Sequence, residues 1–87
     1  MQNTVTAAAI EAKISDVEYL NPSSAPHMTL CILTLKNGFT VVGTSAPADP
    51  GNFDADLGRG YARAAAISQV WPLEGYLLRE QLATAKG

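Results

Sequence analysis

"MTLCILTLKNGFTVVGTS", residues 28–45, decides how the chain is read. Two runs rich in β-branched and aliphatic residues flank Asn37-Gly38. That dipeptide between such runs is a strong hairpin signal, because a type I′ turn needs positive φ at both central residues. A two-residue loop predicts strands over about 28–36 and 39–45, with Lys36 facing Phe39, Leu35 facing Thr40 and Leu33 facing Val42. Alternation then puts Leu30, Ile32, Phe39 and Val41 on one face, and Cys31, Leu33, Leu35 and Val42 on the other. Both faces are apolar, which an isolated hairpin cannot sustain in water. The pattern calls for helices on both sides, or for a second subunit on one.

Working outward, "NPSSAPH" at residues 21–27 carries two prolines and two serines and separates an N-terminal element from the hairpin. Before it, Ala7, Ile10, Ile14 and Val17 recur at intervals of three and four, which predicts a helix over about 4–19 with Thr4 or Thr6 as its cap. After the hairpin, "APADPGN" at 46–52 is a loop ending in helix-start chemistry. Asp49 before Pro50 fits an N-cap, and Asn52 before Phe53 is a second candidate. Phe53, Leu57, Tyr61, Ala64, Ile67 and Trp71 form a helical stripe. Gly58, Gly60 and Ala64-Ala65-Ala66 keep that helix thin, which suits close packing on the hairpin or on a symmetry mate. Pro72 disfavours helical geometry at Trp71 and is expected to start a new helix. Tyr76 to Leu78 tolerate a strand, but Pro72 as a start and the later Arg-Glu-Gln-Leu-Ala run decide for helix. The expected order is α-β-β-α-α: a single α+β domain over 1–87, with two C-terminal helices at about 50–71 and 72–84.

Eighty-seven residues fit one domain with a small core, since a chain of this length buries only about 60–65% of its unfolded surface. The 47% hydrophobic content is too high for a disordered tail. A small apolar-rich chain without disulfides often completes its core by oligomerising, so a homo-oligomer is expected. Cys31 is the only cysteine, which excludes an internal disulfide or a cysteine-pair zinc site and suits a reducing compartment. The N-terminus lacks the basic start and apolar run of a secretory signal, and no apolar stretch is long enough for a membrane span. Six basic and eight acidic residues leave a net charge of −2, which argues against broad binding to a phosphate backbone.

Candidate chemistry is sparse. Asp49, Asn52, Asp54 and Asp56 in "ADPGNFDAD" are oxygen donors of the type hard cations take, but their spacing does not match a calcium loop. Acids in a first helical turn are favoured by the helix dipole, so capping is the expected role and no metal site is assigned. Arg59 and Arg63 stand one turn apart and could present a fork to a phosphate or carboxylate, or pair with acids such as Asp56. Tyr61, Trp71 and Tyr76 are expected in the core, with a stacking platform or interface anchor as the alternative. His27 has no nucleophile or second histidine beside it in the pattern, and Cys31 lies mid-strand where a thiol is a poor nucleophile. The residue pattern thus points to a non-enzyme without cofactor. Its candidate ligand or partner contacts are Arg59, Arg63, Tyr61, Trp71, Asn52 and Asp54.

"LCILTLKNGFTVVGTSA" (30–46), then "NFDADLGR" (52–59), then "VWPLEGYLL" (70–78) together resemble a family of small tailed-phage proteins labelled by a gene 49 product and a gene 66 product. The resemblance covers about residues 28–80, and "VTAAAIEAKI" (5–14) also looks like the family's opening helix. The chain departs from the family at Pro47, where cysteine is common, and at Gly60, where a basic residue is frequent. Its 21–27 linker is also short beside that of some members. The resemblance implies a phage or prophage product made in the host bacterial cytoplasm, and no particular reaction. Three functions compete on this basis. The expected one is binding and blocking a host or anti-phage defence protein. The alternatives are an oligomer sequestering a nucleotide-type defence signal, and a nucleic-acid-associated replication or regulatory protein, which the charge disfavours.

Overall fold

The computed structural model describes residues 4–85. In chain order it contains helix α1 (Ala7–Ala12), strands β1 (Ile14–Leu20), β2 (Thr29–Leu35) and β3 (Thr40–Ser45), a single 3₁₀ turn at Pro50–Asn52, and helix α2 (Ala55–Ala85). The three strands form one antiparallel sheet in the order β1-β2-β3. The fold is α+β, as the patterning predicts, but three of its details differ from the expectation.

The helix expected over 4–19 stops at Ala12 and gives way to a strand. Thr6 caps the short helix, its hydroxyl accepting from the Ala9 amide at 3.1 Å. Beyond it, Val17 and Tyr19 face the core with a period of two. The three-residue step from Ile14 to Val17 looked helical because a β-bulge lies inside it. Ile14 pairs with Leu35 and Asp16 with Thr34, leaving Ser15 as the extra residue. Its hydroxyl donates to the Thr34 carbonyl at 3.0 Å. The bulge keeps Ile14 and Val17 on one face at an odd spacing, which imitates a helix.

The hairpin is present, but its register is shifted by one. The Leu35 amide donates to the Phe39 carbonyl and the Gly38 amide to the Leu35 carbonyl, both at 2.8 Å. Only Gly38, at φ +90°, lies in the left-handed region among the described residues, so Asn37 is not in a type I′ turn. The loop is the three residues Lys36-Asn37-Gly38, a tight turn closed by a glycine bulge. Leu33 therefore faces Val41 and Ile32 faces Val42. A one-residue slip turns every β3 side chain over. Val41 and Gly43 join Cys31, Leu33 and Leu35 on the buried face, while Thr40, Val42 and Thr44 point outward. Phe39, expected on a buried face, sits at the turn and is 52% exposed. The outer face is mixed rather than apolar, with Asp16, Glu18 and three threonines around Leu20, Leu30, Ile32 and Val42. Within the chain α2 covers one side of the sheet, not both.

The third correction concerns Pro72. One helix of 31 residues runs through it instead of two meeting there. Proline removes one backbone donor and crowds the carbonyl four residues back, here that of Ser68. Pro72 and Ser68 are both exposed, so water can serve that carbonyl and the helix continues. The helical reading of 73–84 holds. The start of α2 is capped by Asp54, whose Oδ1 accepts from Asp56 at 3.0 Å and Leu57 at 3.1 Å. Asp49 caps the 3₁₀ turn instead, accepting from Gly51 at 2.9 Å.

The core comprises Ile10, Cys31, Leu33, Leu35, Val41, Ala62, Ala66 and Val70. Burial of a side chain such as Leu33 or Val70 contributes about 1.5–3 kcal/mol. The close approach of α2 to the sheet depends on Gly43: a Cβ there would collide with the Ala62 carbonyl and the Ala66 amide. Farther along, Gly58 lies against the buried Thr29, where a Cβ would come within 2.8 Å of the hydroxyl. The helix thus needs small residues at 58, 62 and 66. The expected apolar stripe through Leu57, Tyr61, Ala64 and Trp71 lies on the other side of α2, in solvent.

Candidate functional site

The loop after β3 and the capped start of α2 meet in a cleft of about 180 Å³. Pro47, Phe53, Leu57 and Tyr61 supply its apolar walls, and Asn52 and Asp54 its polar edge. Leu57 and Tyr61 remain 57% and 64% exposed, although both are large and apolar in body. Their backbone is fixed, because Asp54 caps the helix and its carbonyl takes the Gly58 amide at 2.8 Å. Carboxylate-to-amide bonds at a helix start hold Asp54 ready as a cap and leave it little freedom as a metal ligand. Among the described residues no three His, Cys, Asp or Glu side chains cluster as a metal site would require.

Five of the six candidate residues divide between two places. Asn52, Asp54 and Tyr61 meet in the cleft. Arg63 and Trp71 border a shallow groove on the outer side of α2, with Gly60, Ala64, Ile67 and Ser68 between them. Arg59 lines neither and pairs with Asp56 one turn before it. Arg63 forms a two-pronged pair with Glu11 of α1, at 2.6 and 3.0 Å. The guanidinium hydrogen bonds hold the Glu11 carboxyl below its ordinary range, and the same bonds raise Arg63 further. An anion reaching Arg63 would have to displace a carboxylate already matched to its fork. Of the residues outside the candidate set, Phe53, Leu57 and Pro47 are the ones that matter for the cleft. The first two stood in the sequence as members of a core stripe, and no local signal marks Glu11 as the partner of a residue so distant in the chain.

His27 lies half-buried in the connection between β1 and β2, away from cleft and groove. Cys31 is wholly enclosed, and burial pushes its thiol pKa up. No helix among the described residues is long and apolar enough to cross a membrane.

The model of the phage protein family named for N4 Gp49 and phage Sf6 gene 66 matches residues 5–82, a span from α1 through most of α2. The chain belongs to that family. It is a phage protein with a small α+β fold, and the matched span includes cleft and groove alike. No curated protein and no solved structure matches the chain.

Proposed function

We propose that this member of the N4 Gp49/Sf6 gene 66 family is a non-enzymatic accessory protein acting in the host cytoplasm, where it binds and blocks a host or anti-phage defence protein. The observation that supports this reading is the cleft itself. It presents Phe53, Leu57, Tyr61 and Pro47 from a rigidly capped helix start, with Asn52 and Asp54 at its edge. Aromatic anchors on pre-ordered backbone are the material of protein-binding hot spots, because little backbone entropy is lost on docking. Inhibition then works by occlusion of the partner's surface and needs no bond chemistry.

Nucleotide sequestration fits less well. Tyr61 offers a stacking face, but the two arginines that would clamp a phosphate are engaged by Asp56 and Glu11. The test is native mass spectrometry of the untagged protein from infected host cells, in parallel with Tyr61→Asp. A stoichiometric host protein recovered with the wild type and lost with the variant supports the proposal. Recovery of the chain with a few hundred extra daltons per subunit (on the order of one nucleotide) and no protein partner overturns it in favour of sequestration.

A further inference from the structure

The outer side of α2 carries a second pattern, independent of the cleft. From Ala64 the exposed side repeats in steps of four and three: Ala64, Ser68, Trp71, Gly75, Leu78, Leu82 and Ala85. A step averaging 3.5 residues is the signature of a helix that packs along another helix. These residues lie half a turn from Ala62, Ala66 and Val70, which the sheet covers. Within the chain they face away from the sheet: Trp71 is 40% exposed, while Leu78 and Leu82 are half-buried, Leu78 beside Val5 and Ala9. The shallow groove at Gly60, Ala64, Ile67 and Ser68 lies on the same side and ends at Trp71.

We infer that this seam is where two copies of the chain pair, with their α2 helices parallel and in register. Size and charge carry the choice. The bulkiest layer, the two Trp71 indoles, falls between two layers of small side chains, Ser68 and Gly75. The seam's flanks are the residues three after and one after each of Leu57, Ala64, Trp71 and Leu78. They are Gly60, Ile67, Glu74 and Gln81 on one side and Gly58, Ala65, Pro72 and Arg79 on the other. Only Glu74 and Arg79 are charged, they are opposite in sign, and they stand five residues apart. In a parallel pair a residue on the first flank meets the residue five further along on the other copy's second flank, so Glu74 meets Arg79 twice. An antiparallel pair sets each flank against itself and loses both matches. Lys13 pairs with Oε1 of Glu74 at 3.1 Å, and the Glu74 side chain keeps 15% of its surface exposed at the edge of the seam. The sheets then lie on the outsides of the helix pair, and both clefts stand at the same end of the dimer. The inference goes beyond the partner-blocking reading and stands or falls without it.

Sedimentation equilibrium of the purified chain alone tests it, with cross-linking to fix orientation. The wild type is expected to be a dimer. Trp71→Glu should weaken it at least about tenfold, the loss typical of a central interface aromatic. Its circular dichroism should stay unchanged. Under mild oxidation Ala64→Cys alone should form a disulfide-linked dimer, and Tyr76→Cys, on the other side of the helix, should not. A monomer at every concentration overturns the inference, as does a dimer indifferent to Trp71→Glu. Linkage seen only on mixing Ala64→Cys with Leu82→Cys would mean antiparallel helices and overturn the parallel pairing.

Discussion

Gly43 is the residue on which the packing of helix against sheet rests. Its missing side chain lets the backbone of α2 lie directly on β3, at Ala62 and Ala66. Gly43→Ala puts a methyl group where backbone atoms already stand, and neither a strand nor a helix backbone yields as a flexible side chain would. The expected loss is about 2–4 kcal/mol, in the range of overpacked or strained core sites, read from urea unfolding of variant and wild type. The Glu11–Arg63 pair acts in a different way, as an electrostatic clasp between α1 and α2. Glu11 titrates lower when folded than when unfolded. Its contribution is therefore present above the unfolded carboxylate value of 4.5 and is lost as pH falls through the depressed folded value. Glu11→Gln should be less stable than the wild type at neutral pH, and the gap should close toward about pH 2. A gap that stays constant across that range would show that the carboxylate's charge does not matter to the clasp.

Among the elements, α2 departs furthest from its local preferences. A proline inside an exposed helix costs up to about 3 kcal/mol relative to alanine, yet the helix runs on for 13 residues past Pro72 to Ala85. Because Pro72 is exposed, Pro72→Ala restores a backbone hydrogen bond to Ser68 without disturbing the core. The expected gain is about 1–3 kcal/mol, visible as a raised Tm by differential scanning calorimetry. An unchanged or lowered Tm would mean that the proline geometry is required by its surroundings. The sheet shows the complementary case. Alternation along β2 was legible, with Cys31, Leu33 and Leu35 on one face, but both faces were expected to be covered and only that one is buried within the chain. Alternation in β3 was equally clear, but its phase depended on whether the turn held two residues or three. Asn-Gly is compatible with both loops, and the choice exchanged Val42 for Val41 in the core.

For the whole molecule, the long helix sets the shape. The structure measures 56 × 21 × 18 Å, and 31 helical residues account for about 46 Å of the longest dimension. Past Val70 no residue of α2 is buried by the chain's own sheet, while Trp71, Leu73, Tyr76 and Leu77 are exposed. Of these, Trp71 lies on the seam proposed above, while Leu73, Tyr76 and Leu77 lie on another side of the helix and belong to neither surface. Under the two proposals above, the cleft at the start of α2 would meet a foreign protein and the seam farther along a second copy.

Much was legible from residue order alone. Composition and periodicity pointed to a small α+β chain with a hairpin at Asn37-Gly38 and a helical C-terminal third, because each rests on local propensity, and the resemblance to the phage family rests on motifs contiguous in sequence. The expected site residues Asn52, Asp54 and Tyr61 were near one another for the same reason. Tertiary structure alone decided that residues 14–20 are a strand, since a bulge paired to β2 makes a three-residue step serve a sheet. It alone decided which side of α2 is core: two apolar stripes compete at helical spacing, and only Gly43 opposite Ala62 and Ala66 lets the thin one approach the sheet. And it alone tied Arg63 to Glu11, a pairing between distant residues that no local pattern encodes, because charge finds its partner through the fold and not along the chain.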